Sequence, residues 1–310
     1  MSEFKLRAVE PTDRSELAEL IYISINHWYQ LRGLPAIFAG GPQVTEVFYD
    51  TYHALNPGCA VVAESQRSGR LMGSCFYHPR KHHVSLGIMN VHPNYFGLGV
   101  GRALLKHIID YTDQHGYDAL RLTQSALNLD SFSLYNRAGF VPRYAYQDMV
   151  VRVPDDGWTK LPPGAQHVRD ATADDLPAIA ELELEVSGIC REEDYRLALE
   201  NQAGYWHLAV AENAGGGLDG WTMSCGHTAM NMIGPCVARD EATAAALIAR
   251  ELDHHRGRTP VMLIPMEKYQ LVQQLYQWGA RNCELHLCQV RGRFQQFRGV
   301  SMPTFLPETG

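Results

Sequence analysis

The sequence predicts an α/β protein with two similar domains, each a mixed central sheet flanked by helices. Predicted strands and helices follow one another in a mixed order, which favours layered α/β domains. The segment "LRAVEPTDRSELAEL" from Leu6 returns in altered form as "VRDATADDLPAIAEL" from Val168. With 310 residues and 45% hydrophobic content, the chain is long enough to bury two cores.

The repeat continues along the chain in the same order. "AVVAESQRSGRLMGSCFY" from Ala60 and "AVAENAGGGLDGWTMSCGH" from Ala209 both predict strand, turn and strand, and "SLYNRAGF" from Ser133 is similar to "QLYQWGAR" from Gln274. The intervening "VPDDGWTKLPPGAQ" has the composition of a linker. We therefore expect a first domain over residues 1–152, a linker over 153–166 and a second domain over 167–310.

Periodicity and turn residues predict the elements of the first copy in order. Strands are expected over residues 4–9, 59–64, 71–77, 84–91, 119–123 and 141–151, and helices over 14–28, 43–55, 101–115 and 131–137. The helix over 101–115 has a clear buried face, formed by Leu104, Leu105, Ile108 and Ile109.

Composition excludes several classes of function. The net charge of −7 does not provide the basic face that nucleic-acid binding needs. No run of about 20 apolar residues exists, and the amino-terminal segment lacks the apolar core of a secretory signal, so we expect a cytoplasmic protein without membrane contact. Seven cysteines without a CxxC pair or zinc-type histidine spacing predict reduced core thiols and no metal.

A glycine-rich turn precedes the helix over 101–115 and predicts an anion site. Gly97, Gly99 and Gly101 let the backbone approach a ligand closely, and the first helical amides have no partner within the helix. Two known nucleotide-binding motifs do not match this turn. The dinucleotide fingerprint would need a small residue where Arg102 or Leu104 stands, and no Gly-Lys pair for a phosphate loop occurs in the chain.

The remaining pattern resembles the GCN5-related N-acetyltransferase (GNAT) superfamily. Its motif, V-x-P followed by Q/R-x-x-G-x-G/A, corresponds to Val91, Pro93 and "FGLGVG" from Phe96. Downstream, Asn128 and "LYNRAGF" from Leu134 also match the family pattern. The resemblance covers about the first 152 residues. It implies acetyl-CoA as cosubstrate and acetyl transfer to a primary amine by direct attack on the thioester.

The resemblance also assigns roles to individual residues. The turn, consisting of Gly97, Leu98, Gly99, Val100, Gly101 and Arg102, would bind the coenzyme A pyrophosphate, and the backbone of Met89, Asn90 and Val91 would pair with the pantetheine arm. Asn128 would contact pantetheine or cap the next helix. Tyr135 would protonate the departing thiolate, with a simple packing role as the alternative.

Two departures from the family pattern concern Phe96 and Ser85. Phe96 replaces the Gln or Arg that opens the motif, and Ser85 stands where some members have a glutamate base. Its expected same-face neighbours Gly87 and Met89 supply no base either. His83, two residues before Ser85, is the first candidate base, acting through water. The other histidines considered are His27, His78, His82 and His92; relay through water alone is the alternative.

The segment from Asn26 to Gln43 is expected to shape the acceptor site. Its aromatic residues His27, Trp28, Tyr29 and Phe38 predict a mobile pocket wall or a loop packed against the second copy. An amine-bearing small molecule, a protein amino terminus or a lysine would fit this segment equally well.

The second copy is expected to lack the donor site. Asp240 and Glu241 begin its corresponding helix, where carboxylates satisfy the helix dipole and repel a pyrophosphate. "SGICR" from Ser187 and "MIGPCVARDEATAAALI" from Met232 resemble the carboxyl-terminal domain of tandem acetyltransferases of the YitH type. Tyr276 aligns with Tyr135, with packing as its expected role. The copy would complete the acceptor pocket, extend the sheet or form a homodimer.

Two classes of function follow from these expectations. The first is an acetyl-CoA-dependent N-acetyltransferase acting in the first copy. The second is a non-catalytic sensor or interaction module that binds acetyl-CoA as a ligand, a class consistent with Phe96 and with the absence of a carboxylate base at Ser85.

Overall fold

A computed structural model, which describes residues 3–304, confirms the α/β class and the order of elements predicted for the first copy. The strands of this copy are β1 (Phe4–Ala8), β2 (Ala60–Ser65), β3 (Leu71–Pro79), β4 (His83–Val91), β5 (Ala119–Ser125) and β6 (Val141–Val150). Its helices are α1 (Arg14–Gln30), α2 (Glu46–Leu55), α3 (Val100–Gln114) and α4 (Leu129–Arg137).

The second copy repeats this order of elements. Its strands are β7 (Val168–Asp170), β8 (Trp206–Glu212), β9 (Leu218–Gly226), β10 (Asn231–Ala238), β11 (Val261–Pro265) and β12 (Arg281–Gly292), followed by β13 (Val300–Met302). Its helices are α5 (Leu176–Ser187), α6 (Glu192–Glu200), α7 (Glu241–Leu252) and α8 (Tyr269–Gln277).

The chain forms two compact units that are divided differently from the sequence repeats. Within the described residues, unit 1 comprises 3–79 and 83–120, and unit 2 comprises 80–82 and 121–304. The last strand of the first copy, β6, is part of unit 2 because it pairs with β11 and β12. The boundaries predicted for the repeats therefore describe the sequence repeat, and the compact units have different boundaries.

Unit 1 is an antiparallel sheet in the order β1-β2-β3-β4, covered by helices on both faces. On one face, Tyr52 of α2 packs against Phe76 of β3 with ring centroids 5.0 Å apart. On the other face, Tyr111 of α3 packs against Tyr77 at 4.8 Å. Because neighbouring residues of a strand point to opposite faces, Phe76 and Tyr77 identify the two layers.

Unit 2 contains a sheet in which the last strands of the two copies are exchanged. The order is β5-β12-β6-β11-β10-β9-β8-β7, with β13 paired to β10. Strand β12 of the second copy lies next to β5 of the first, and β6 of the first copy lies next to β11 of the second. The core of this unit includes Ile248 and Leu252 of α7, together with Met262 and Ile264 of β11.

Each copy begins with the same ion pair. In unit 1, Arg7 Nη1 lies 2.6 Å from Asp13 Oδ2, and in unit 2, Arg169 Nη1 lies 2.8 Å from Asp175 Oδ2. The hydrogen bond from Arg169 lowers the pKa of Asp175 to about 2. This shared arrangement supports the internal repeat at the level of side-chain contacts.

Two expectations from composition concern membrane-spanning helices and disulfide bonds. Among residues 3–304, no helix combines the length and apolar character required to cross a membrane. No disulfide joins any of the seven cysteines, all of which lie in the described part of the chain.

Candidate active site

The glycine turn between β4 and α3 lies exposed on unit 1. Gly97 and Gly99 both have φ of +81°, a left-handed conformation that favours glycine. Beyond their chain neighbours, no atom lies within 4 Å of the position that a Cβ would occupy at either residue. Gly99 is the N-cap residue of α3, and the first turn of that helix carries no acidic side chain. The backbone at Gly97 and Gly99 is therefore accessible, and it lies beside the first amides of α3, which have no partner within the helix. An anion site requires both features.

The side chains of the turn divide into one buried residue and several exposed ones. Val100 is 1% exposed and anchors the start of α3, whereas Leu98 is 46% and Phe96 55% exposed. Arg102 is also exposed on the first turn. Phe96 offers no hydrogen bond to an anion, so binding at this turn would depend on the backbone amides and Arg102.

Gly73 of β3 allows α3 to approach the sheet beside β4. A Cβ at Gly73 would stand 2.8 Å from Val100 Cγ1 and 2.8 Å from the carbonyl oxygen of Asn90. Residues Met89, Asn90 and Val91 pair with Cys75, Ser74 and Gly73 of β3. The absence of a side chain at Gly73 thus places the glycine turn next to the strand segment that was expected to pair with pantetheine.

A β-bulge in β4 changes the faces that the sequence predicts. His78 and Tyr77 of β3 pair with Ser85 and Leu86, but Cys75 pairs with Met89, so Gly87 and Ile88 together oppose Phe76. The expectation that Met89 shares the face of Ser85 is wrong, because the extra residue reverses the alternation. Met89 lies on the α3 side of the sheet. Asn90, instead of Met89, lies on the same side as Ser85.

The side chain of Asn90 belongs to a buried polar group beneath α1. Ser24 Oγ donates a hydrogen bond to Asn90 Oδ1 at 2.9 Å. Asn90 is 6% exposed, and within residues 3–304 its Nδ2 has no hydrogen-bond partner; nor has Ser74 Oγ on the opposing strand. The sequence predicted a role for the backbone of Asn90 but not for its side chain. The sequence signal for the bulge that turns this side chain inward is Gly87, since glycine within a strand often marks a bulge.

His83 and His78 both lie on the buried face beneath α1 and α2. His83 is 2% exposed, and its Nε2 lies 3.2 Å from Ser85 Oγ, which confirms that the two side chains share a face. His78 is fully buried; its Nδ1 lies 2.9 Å from Asn56 Oδ1, and its ring packs on Tyr52 at 4.7 Å. His83 and Ser85 thus form a hydrogen-bonded pair on the strand where some members of the resembled family have a glutamate base.

His92 has a structural role at the end of β4. Its Nδ1 accepts a hydrogen bond from the backbone nitrogen of Asn94 at 3.2 Å and so caps the turn at residues 93–95. Burial is the largest effect on this imidazole and lowers its pKa. His92, one of the histidines considered as base, thus caps this turn.

The proposed acceptor residues lie at the end of a helix that is two residues longer than predicted. Helix α1 extends to Gln30, so His27, Trp28 and Tyr29 form its last turn. Arg32 stacks on the Trp28 ring at 3.9 Å, and in the described part of the chain Trp28 Nε1 is buried without a hydrogen-bond partner.

Phe38 is not part of a mobile wall, because it is only 4% exposed and packs edge-on against Phe48 of α2. Two hydrogen bonds with the side chain of Asn26 hold its backbone: Phe38 N donates to Oδ1 at 2.9 Å, and Nδ2 donates to Phe38 O at 3.0 Å. The loop is therefore fixed at this residue to the end of α1.

Asn128 and Tyr135 lie in unit 2. Asn128 Oδ1 accepts a hydrogen bond from the backbone nitrogen of Ser131 at 3.1 Å, so this residue caps α4. The cap uses the oxygen and leaves the amide nitrogen for another contact. Tyr135 is 6% exposed, with its ring 5.7 Å from that of Phe140.

In the second copy, the chain itself occupies the strand edge that corresponds to Met89–Val91. Strand β10 has a bulge at Gly234 and Pro235, opposite Met223, in the same place as the bulge of β4. The segment after the bulge, Cys236–Ala238, therefore corresponds to Met89–Val91. Strand β13 pairs antiparallel with these three residues. The strand edge at Cys236–Ala238 is therefore not free to pair with a pantetheine arm.

The start of α7 is also closed by the chain's own groups. Asp240 Oδ1 accepts a hydrogen bond from the backbone nitrogen of Thr243 at 2.8 Å. Glu241 Oε2 accepts one from the backbone nitrogen of Leu271 at 2.7 Å. Asp240 thus satisfies an amide of α7, as its position in the sequence predicted, whereas Glu241 bonds an amide of the neighbouring helix α8. Gly299 runs so close to β10 that a Cβ there would lie 2.2 Å from the carbonyl oxygen of Ala238.

The expected correspondence of Tyr276 with Tyr135 is wrong. Phe140 N donates to the carbonyl of Tyr135 after α4, and Ala280 N donates to the carbonyl of Leu275 after α8. Leu275 therefore occupies the place of Tyr135, and Tyr276 that of Asn136. Tyr276 is 43% exposed, with its hydroxyl 3.3 Å from Asn282 Oδ1. The second copy has no phenol at the position of the candidate acid.

Comparison with known proteins agrees with this architecture. Residues 18–140 match the acetyltransferase (GNAT) family, and residues 179–290 match an acetyltransferase (GNAT) domain. The chain belongs to the GNAT superfamily and contains two GNAT domains. The family typically uses acetyl-CoA and acetylates amine acceptors.

Several solved structures share the fold over nearly the whole chain. A putative acetyltransferase from Pyrococcus horikoshii has a TM-score of 0.72 at 15% identity, over 99% of this chain and 93% of that one. A GCN5-related N-acetyltransferase from Sphaerobacter thermophilus gives 0.64 at 17% identity, over 96% and 98%. A tandem GNAT protein from the clavulanic acid biosynthesis pathway gives 0.59 at 14% identity, over 94% and 98%.

One curated relative matches a short part of the chain. The UPF0157 protein YqkA of Bacillus subtilis is 32% identical over 75 residues, which are 24% of this chain and 21% of that protein. The chain therefore spans about a fifth of the length of the curated relative that it matches.

Proposed function

We propose that the first copy is an acetyl-CoA-dependent N-acetyltransferase that transfers the acetyl group to a primary amine of a small molecule or peptide. The observation that carries the proposal is the open left-handed turn at Gly97 and Gly99, at the start of α3 and beside the Met89–Val91 segment. The corresponding place in the second copy is filled by β13 and capped by Asp240. We therefore assign donor binding to the first copy alone.

The turn and the strand edge would hold the donor in complementary ways. Backbone amides from Gly97 to Arg102 would donate hydrogen bonds to the pyrophosphate, and the Met89–Val91 backbone would pair with the amides of pantetheine. Fixing both ends of the donor orients the thioester for attack and lowers the entropic part of the barrier.

The chemistry requires two proton transfers. The amine nitrogen forms a C–N bond with the acetyl carbonyl, the C–S bond breaks, one proton leaves the nitrogen and one reaches the sulfur. By family resemblance we assign the proton on sulfur to the Tyr135 hydroxyl. We assign acceptance of the amine proton to His83 through water, with Ser85 as the hydrogen-bonded neighbour that orients its Nε2.

The buried donors beneath α1 favour an acceptor with an oxygen near its amine. Ser24 and Trp28 are one helical turn apart and so lie on the same side of α1, the side that faces Asn90. Asn90 Nδ2 and Trp28 Nε1 are neutral N–H donors that lack partners among residues 3–304. A carbonyl or carboxylate oxygen would satisfy them, so amino acids, their amides and peptide amino termini fit better than alkyl amines.

Release of the coenzyme A thiol from acetyl-CoA tests the proposal, with amino acids, amino-acid amides, short peptides and simple alkyl amines as acceptors. The expected result is amine-dependent thiol release that is fastest with oxygen-bearing acceptors. Saturable acetyl-CoA binding without thiol release from any amine would instead support the sensor function, which the exposed Phe96 and the serine at position 85 favour.

A further inference from the structure

The second GNAT copy carries a cluster of metal-ligand side chains that is separate from the acetyl-CoA turn. We propose that Asp170, His207 and His254 bind a divalent transition metal ion with the ligand preferences of Zn²⁺. Their ligand atoms all lie within 4.8 Å of one another. Two imidazole nitrogens and one carboxylate oxygen form a ligand set typical of zinc, with water as the fourth ligand.

The fold brings these residues together from three separate segments. Asp170 ends β7 and pairs with Ala209 of β8, so His207, two residues before Ala209, lies on the same face. His254 follows the end of α7, and its ring stacks on His207 with centroids 3.6 Å apart. All of these residues belong to unit 2.

A buried carboxylate orients the central histidine. Glu251 is fully buried, and its Oε1 lies 2.7 Å from His207 Nδ1. Because a carboxylate can only accept, Nδ1 carries the proton of this hydrogen bond, and Nε2 points toward Asp170 Oδ1 at 3.2 Å. A neutral ring would place two lone pairs against each other there. A positive species bonded to both atoms, a metal ion or a second proton, removes the conflict.

The geometry and exposure fit a metal ion. Tetrahedral zinc with bonds near 2.0–2.1 Å holds its ligand atoms about 3.3 Å apart, close to the distance from His207 Nε2 to Asp170 Oδ1. The Asp170 side chain is 84% exposed, and His254 is also exposed, so both can adjust around an ion. The histidine–carboxylate pair formed by His207 and Glu251 is the usual support of a metal-bound imidazole.

Calorimetric titration of tag-free full-length protein with Zn²⁺ tests the site. We expect one ion bound per chain, and an affinity that falls about tenfold or more in His254→Ala and in Asp170→Asn. His254→Cys keeps a zinc ligand and should retain most of the affinity. His167→Ala removes an exposed histidine of the same unit that is outside the cluster, and should bind like the unmodified protein.

Cobalt provides an independent spectroscopic readout. Co²⁺ in a tetrahedral site should give visible ligand-field absorption that His254→Ala abolishes and His167→Ala does not. Absence of saturable Zn²⁺ binding, or binding unchanged in His254→Ala, would overturn the proposal in favour of a doubly protonated His207. Loss of binding in Glu284→Gln but not in His254→Ala would overturn it in favour of the group formed by buried Asp148 and His286 with half-buried Glu284.

Discussion

Gly73 of the first copy and Gly220 of the second lie at equivalent places, each beneath the first turn of a helix. A Cβ at Gly73 would stand 2.8 Å from Val100 Cγ1, and one at Gly220 would stand 2.9 Å from Thr243 Cγ2. The two copies therefore seat their helices on the sheet in the same way. Only the first retains an open turn in front of its helix.

This equivalence predicts different results for two alanine substitutions. Gly73→Ala and Gly220→Ala should each destabilise the protein by about 1–3 kcal/mol through overpacking, measured by denaturant unfolding. Gly73→Ala should also weaken acetyl-CoA binding, because it displaces the start of α3 or the Asn90 carbonyl. Equal acetyl-CoA affinity in the two variants would argue against a donor site at this helix.

The glycine turn can be tested with a matched pair of substitutions on α3. Gly99→Glu should abolish acetyl-CoA binding, since it adds bulk and negative charge where the pyrophosphate would lie. Gly116, at the other end of the same helix, has φ of +70° and equally open surroundings, so Gly116→Glu carries similar backbone strain. Both variants should lose about 1–2 kcal/mol of stability from a left-handed non-glycine residue. Retained binding in folded Gly99→Glu would contradict the assignment.

Tyr135 is expected to act on turnover more than on binding. Tyr135→Phe should lower kcat by about 10²-fold, at the lower end for general acid catalysis, with little change in the KM for acetyl-CoA. Tyr276→Phe is the control, because Tyr276 is exposed and occupies the place of Asn136. Equal kcat values in the two variants would leave Tyr135 with only its packing role against Phe140.

The ion pair that opens the second copy predicts acid sensitivity. The folded pKa of Asp175 is lowered from 3.8 to about 2 by its hydrogen bond with Arg169. A lowered carboxyl pKa contributes stability that is complete above 3.8 and is lost as the pH falls through about 2. Asp175→Asn should therefore cost about 2 kcal/mol at neutral pH and progressively less below pH 3.8, as measured by urea unfolding.

The adjacent Asp174 supplies the control for this measurement. It is exposed on the same turn, so Asp174→Asn should leave the unfolding free energy nearly unchanged at every pH. A constant difference between Asp175→Asn and the unmodified protein across the acid range would show that the pair acts through packing instead of charge.

The sequence predicted the parts of this molecule that depend on local patterns. The glycine turn and the Asn128 cap are each visible within a few neighbouring residues. The fold class and the repeat follow from such local patterns when they are compared along the chain. The face of Asn90 was not, because the bulge at Gly87 and Ile88 reverses the alternation that strand periodicity assumes. The one-residue offset between Tyr135 and Tyr276 likewise became visible only in the hydrogen bonds that end the two helices.

Features formed by distant segments escaped prediction for a different reason. The exchange of β6 and β12 and the pairing of β13 with β10 depend on strand neighbours that no local pattern specifies. The cluster of Asp170, His207 and His254 has no short motif spacing, so the pattern of the sequence does not predict it. In each case, residues far apart in sequence meet only through the topology of the sheet.

The stoichiometry of acetyl-CoA binding tests the central claim most directly. Equilibrium titration of the full chain should give one acetyl-CoA per chain, because the Gly97–Arg102 turn of the first copy is open and β13 occupies the Cys236–Ala238 edge of the second. Two acetyl-CoA molecules per chain, or none, would contradict the account.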